Sequence, residues 1–142
     1  IDAEGRALPG IPRIRLWQES AQHLSIGTSD LARVRADMPK FNLPLGADGP
    51  AEPLPVGWLY ILEPAAVSHI TIQPVSGLAR FPYLIEHTYR LVLVEGMKLS
   101  AAHMAQCANL AGKAHMATVA RPTDRFMLDE LIDALLADMA AH

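Results

Sequence analysis

The sequence holds one cysteine, Cys107, so no disulfide forms within the chain, and the expected compartment is a reducing one. Positive charge is short: 12 Lys and Arg stand against 15 Asp and Glu, a formal net charge of -3. That balance excludes the broad cationic footprint of a nucleic-acid-binding domain. No apolar run approaches the ~20 residues that cross a bilayer, so no membrane-spanning helix is expected. Together with the lone cysteine this makes the cytoplasm the expected location. No segment repeats itself, and Gly46–Pro55 is the one compositionally biased stretch.

What the chain has in quantity is apolar side chain, 51% of 142 residues, enough for a single domain with a core. The expected fold class is α/β, a mixed sheet flanked by helices. Residues 1–75 read as a strand-rich part with short helices and 76–142 as a mainly helical part. The chain starts at Ile1 rather than Met, which leads us to expect further sequence upstream of it.

The organising stretch is Leu8–Trp17. Pro9 and Gly10 suit the corner of a turn, and Pro12 biases Ile11 towards extended geometry. Beyond Pro12, Ile14 and Leu16 alternate with Arg13 and Arg15, so a strand buries the aliphatics and holds both guanidiniums on the other face. That face is either a solvated exterior or an anion site, since Arg presents a planar fork matched to phosphate. Ahead of it, Ile1–Arg6 reads as a strand tail entering a turn at Asp2–Gly5.

Further along, helical turns are expected over Trp17–Leu24 and Leu31–Ala36, the second ended by Pro39. Phe41, Leu43 and Leu45 alternate as an edge strand, and Gly46–Pro55 is rich in Gly and Pro and reads as an exposed loop. Val56–Leu62 is apolar throughout, which predicts a central strand with Trp58 buried, and Trp17 is also expected inside. His69–Gln73 alternates as a strand with one wet face. A helix is expected from near Pro82, another over Ser100–Ala111 stopped by Gly112, a short strand over Met116–Val119, and a last helix opened by Pro122-Thr123-Asp124.

Three groupings bear on chemistry. Gly112-Lys113-Ala114 is the nearest approach to a phosphate-binding loop, but that loop needs Ser or Thr where Ala114 stands and Gly where Cys107 stands. It is a chance match. His103 and Cys107 are four apart and would share a helix face, with His115 as a third metal ligand; the plainer reading makes Cys107 a small buried hydrophobe, and no metal ligand is assigned. Arg121 and Arg125 flank Pro122-Thr123-Asp124 at an expected helix N-terminus, and with Arg13 and Arg15 they form the electropositive set worth a hypothesis. Asp129, Glu130 and Asp133 read as a solvated helix face.

The run Pro9-Gly10-Ile11-Pro12-Arg13-Ile14-Arg15-Leu16-Trp17 resembles the later half of bacterial HPr serine kinase-like proteins. So do Leu43-Pro44-Leu45, Trp58–Glu63, His87-Thr88-Tyr89-Arg90 and the closing Arg121-Pro122 with its Leu-rich helix. That P-loop group shares its core with phosphoenolpyruvate carboxykinase. The resemblance implies an ATP-dependent kinase that phosphorylates a protein serine with magnesium, on a carboxykinase-like core. It also implies that the Walker A loop and the acidic metal-binding segment lie upstream of the matched region. This chain carries neither, so no catalytic residue is assigned, and ATP and magnesium are implied by the family alone.

Arg13, Arg15, Arg121 and Arg125 remain as phosphate or substrate contacts. The expected partners are a protein substrate or the missing N-terminal kinase half, with self-association left open and neither nucleic acid nor membrane. Two other readings stand beside this one. The first is a non-catalytic binding or scaffold module derived from the same fold, and the second a small metal-binding protein using His103 and Cys107.

Overall fold

The computed structural model describes residues 1–46 and 51–142. In chain order the elements are β1 (Arg6–Ala7), β2 (Arg13–Trp17), α1 (Gln18–His23), β3 (Lys40–Pro44), β4 (Leu54–Pro55), β5 (Trp58–Pro64) and β6 (Thr71–Pro74). There follow a 3-10 turn (Gly77–Ala79), α2 (Arg80–Glu86), α3 (Leu91–Gly96), α4 (Ser100–Lys113), β7 (His115–Arg121) and α5 (Leu128–Ala141). The chain is mixed α/β. It divides into two compact units, one of Leu8–Pro53 and one of Ile1–Ala7 with Leu54–His142.

The larger unit is built on a three-stranded sheet of order β5-β7-β6, with β7 parallel to β5 and antiparallel to β6. A parallel pair needs a long crossover, and here 50 residues carrying β6 and three helices supply it. The central strand is β7, whose Met116, Ala117 and Val119 are fully buried. The expectation that Val56–Leu62 runs through the middle of the sheet is corrected: β5 is an edge, and Trp58 is 41% exposed. A continuous apolar run reports what a strand would bury, not whether this chain supplies the cover.

On the helical side α4 buries Cys107 and Leu110. Arg80 holds this layer together: its Nε donates to the Val75 carbonyl at 2.9 Å and its Nη1 to the Ala111 carbonyl. Pro82 sits in the first turn of α2, where its missing N–H costs nothing. The last helix begins at Leu128, so Pro122–Asp124 lies in the preceding loop and does not open it.

The N-terminal turn is pinned to α4. Asp2 Oδ1 accepts the backbone N–H of Glu4 and of Arg6 (3.1 and 2.8 Å), and Arg6 Nε donates to Oδ2 at 2.7 Å. Those contacts, the Arg6 backbone N–H first, hold the Asp2 carboxyl below the usual carboxylate range. Gly5 closes the turn at φ +79°, and a Cβ there would meet Asn109 Nδ2 at 3.3 Å. Asn109 and Lys113 donate in turn to the Ala3 and Glu4 carbonyls. The extended residues follow this turn, as β1 paired with β4, so the strand tail expected before it and the open loop expected over Leu54–Pro55 are both corrected. The rest of that loop, residues 47–50, lies outside the described residues.

In the smaller unit β2 and β3 pair antiparallel, Arg13 opposite Pro44 through Trp17 opposite Lys40. Among its described residues Ala21 and Phe41 are buried. Leu31–Ala36 forms bends rather than the expected helix. Its backbone is spent on β3 instead: Val34 N–H donates to Lys40 O, Asn42 N–H to Ala32 O, and Arg33 bridges Phe41. One isolated helical turn carries too few hydrogen bonds to compete with a ready-made strand edge. Trp17 ends β2 and is 47% exposed, not buried as expected.

Candidate functional site

The expected alternation of side chains along β2 holds, and the register with β3 extends it. The expected burial of both aliphatics is corrected: Ile14 is 43% exposed and Leu16 only half-buried, because a two-stranded ribbon has little apolar cover of its own. Residues directly opposite in an antiparallel pair share a face. Arg13, Arg15 and Trp17 therefore stand with Asn42 and Lys40 on one side of the ribbon, while Ile14 and Leu16 stand with Leu43 and Phe41 on the other. Lys40 Nζ lies 4.9 Å from the centre of the Trp17 ring, a cation–π contact that fixes the end of the face. Both arginines are exposed, and among the described residues neither has a carboxylate within ion-pair distance. A cleft of about 340 Å³ opens beside Trp17, between Gln18, Glu19, Gln22 and Pro39. Three cations, an aromatic plane and an adjoining cleft suit an anionic group carried on a larger molecule.

Arg121 and Arg125 belong to the other unit and are arranged differently. Arg121 is the last residue of β7, and Arg125 Nη2 donates to the Ser68 carbonyl at 3.2 Å. Since α5 starts only at Leu128, neither lies at a helix N-terminus, and the dipole argument for that pair falls away. The near-match to a phosphate loop is likewise spent: Gly112 and Lys113 end α4, and Lys113 Nζ is held by the Glu4 carbonyl. These residues do not fit a nucleotide and its magnesium.

His103 and Cys107 meet as their spacing requires, Nε2 to Sγ at 3.5 Å. The same Nε2 is 2.8 Å from Thr88 Oγ1, which donates to the Leu84 carbonyl, so the imidazole ties α4 to the turn that follows α2. Burial pushes the Cys107 thiol up, which keeps it protonated and a poor ligand. His115 is not part of this group.

His115 instead faces α5. It opens β7 on the same side of the sheet as Trp58 and Tyr60, because parallel partners share a face. Asp138 and His142 stand four apart at the end of the helix, where i and i+4 side chains neighbour one another. His115 Nε2 is 3.5 Å from Asp138 Oδ2, and His142 Nε2 is 4.0 Å from Asp138 Oδ1. The two imidazoles stack with centroids 4.5 Å apart.

Tyr60 donates to Asp138 Oδ2 at 2.6 Å, and burial, then this hydrogen bond, pushes the phenol up to about 12. His115 Nε2 is shut off from solvent and, 3.5 Å from Oδ2, makes no hydrogen bond. Among the described residues this is the group of three or more metal-ligating side chains that converges. Sequence reasoning missed it. The signal within reach was the Asp138-x-x-x-His142 spacing, but its third member is a strand residue far back in the chain.

No known protein family, curated protein or solved structure matches this chain.

Proposed function

We propose that this chain is the substrate-side, C-terminal part of an ATP-dependent serine kinase-like phosphotransferase, completed by a nucleotide-binding segment outside it. The observation that supports this most directly is how much apolar surface the chain leaves open. Its accessible surface is 9916 Å². Two separate compact bodies of the sizes of its two units would expose only roughly 8,500 Å². Nine apolar residues are buried among the described residues, whereas twenty large apolar side chains are exposed. Leu78, Tyr89, Val92 and Met97, around α2 and α3, are each more than 60% exposed. Large apolar side chains left this open are what a surface covered by other protein presents when that protein is absent.

On this reading the cover is the P-loop half of a carboxykinase-like core, as the resemblance of Pro9–Trp17 and Trp58–Glu63 implies. The β2–β3 face then meets the phosphate or the acceptor segment through Arg13, Arg15 and Lys40. The residues of this chain neither cradle ATP nor hold magnesium, and no chemical step is assigned to them.

A second reading, a non-catalytic binding or scaffold module of the same descent, draws on the same exposed surface and on the spent Gly112-Lys113. Co-expression with a Walker A-bearing segment of an HPr serine kinase-like protein separates the two. The kinase reading expects a chain silent alone and magnesium-dependent phosphoryl transfer to serine from the complex. A folded complex in which α3 gains amide protection while transfer stays absent supports the module instead.

A further inference from the structure

We propose that His115, Asp138 and His142 form a binding site for a divalent transition metal, zinc by its ligand chemistry, with one coordination position left to solvent. Two neutral imidazoles and a carboxylate are a ligand set that zinc takes in three-residue sites, its fourth position being filled by water. Zinc bonds of ~2.0–2.1 Å put two ligand atoms of a tetrahedral site roughly 3.3 Å apart. Here His115 Nε2 and His142 Nε2 stand 3.5 and 4.0 Å from the two oxygens of Asp138, and all three donors lie within 4.8 Å of one another. The remaining adjustment runs from a few tenths of an ångström to about 1.5 Å, and its larger part falls on His142, the half-exposed member at the end of α5.

Two further observations point to a ligand rather than to chance proximity. His115 Nε2 is buried with no hydrogen-bond partner, and an orphaned buried nitrogen is costly unless something binds it. Asp138 is oriented by Tyr60 from the neighbouring strand, which leaves Oδ1 towards His142. Carboxylate ligands held by an outer hydrogen bond in this way are the common arrangement around protein metals. Tyr60 acts as a positioning residue. Metal bound here would also join the end of α5 to the first residue of the central strand.

The test is titration of the full 142-residue chain with zinc chloride against a chromophoric chelator, with cobalt(II) as a spectroscopic substitute. One ion per chain is expected, with a cobalt spectrum of a tetrahedral site that lacks a thiolate charge-transfer band. His142→Ala and Asp138→Asn should each weaken binding at least tenfold. Tyr60→Phe should weaken it less, and Cys107→Ser should leave it unchanged. Circular dichroism on His142→Ala, a change at an exposed helix end, separates lost ligand from lost fold. Substoichiometric zinc, wild-type affinity in folded His142→Ala, or a thiolate band abolished by Cys107→Ser would each overturn the assignment.

Discussion

Tyr60 and Asp138, 78 residues apart, share a 2.6 Å hydrogen bond that ties the edge strand β5 to the last helix α5. The acceptor is a carboxylate in a part-buried setting, where a hydrogen bond is worth more than a neutral one at the surface. Tyr60→Phe removes the donor and keeps the ring, so it should cost about 1–2 kcal/mol of stability. Urea unfolding checks this. A change within a few tenths of a kcal/mol would mean that α5 is held by its apolar contacts alone.

Met116 and Trp58 exchange the importance that their sizes suggest. Met116 is fully buried on the central strand, whereas Trp58 keeps 41% of its surface in water on the edge. Met116→Ala should therefore cost about 2–5 kcal/mol, and Trp58→Ala only about 1–2 kcal/mol, since little cavity forms where solvent can enter. Denaturant midpoints of the two variants, compared at equal slope, decide the order. The reverse order would put β5 inside the sheet.

These two residues also show how far the sequence could be read. The alternation of Arg13, Ile14, Arg15 and Leu16 and the helical spacings of α4 and α5 are local periodicities, and each produced the expected element. Yet α4 buries Cys107 and Leu110, while Ala101, Met104, Ala105 and Ala108, which its spacing offers as a packing stripe, face solvent. Strand order is not local. The apolar run Trp58–Leu62 and the modest His115–Arg121 compete for the centre of the sheet, and pairing across 50 residues of crossover decides it. Leu31–Ala36 failed for the same kind of reason, its backbone donors and acceptors being taken by Lys40 and Asn42 of a strand already formed. The cluster at Asp138 needed both a helical spacing and a strand register, and only the first is written in adjacent residues.

The Asp2 turn predicts a pH dependence with a definite sign. Its carboxyl is held below the ordinary carboxylate value of 3.8 by the Arg6 backbone N–H and then by the Arg6 side chain. A depressed native pKa means that the unfolded chain binds the proton first, so the turn's contribution is fully present above about 3.8 and is lost as pH falls through the native value. Asp2→Asn should lower the thermal midpoint at neutral pH, and the gap to wild type should close on acidification. A gap that stays constant down to pH 2 would show that the side-chain oxygen alone, and not its charge, holds the turn.

The last prediction concerns the cationic face of the β2–β3 ribbon. Arg13 and Arg15 have no carboxylate within ion-pair reach among the described residues, so their charge is not spent on structure. Removing either should leave folding within about 0.5 kcal/mol of wild type, as exposed substitutions do. In the complex with a Walker A-bearing segment the same variants should lower the rate of phosphoryl transfer, because a guanidinium aimed at phosphate stabilises charge that develops in the transition state. Arg13→Lys and Arg15→Lys separate bidentate recognition from bare charge, since lysine keeps the charge and loses the fork. A rate that falls in the Ala variants and recovers only partly with Lys assigns the pair to phosphate. A rise in KM for the protein acceptor at unchanged kcat assigns it to the acceptor's acidic side chains. Wild-type kinetics in every variant would return Arg13 and Arg15 to a solvated strand face.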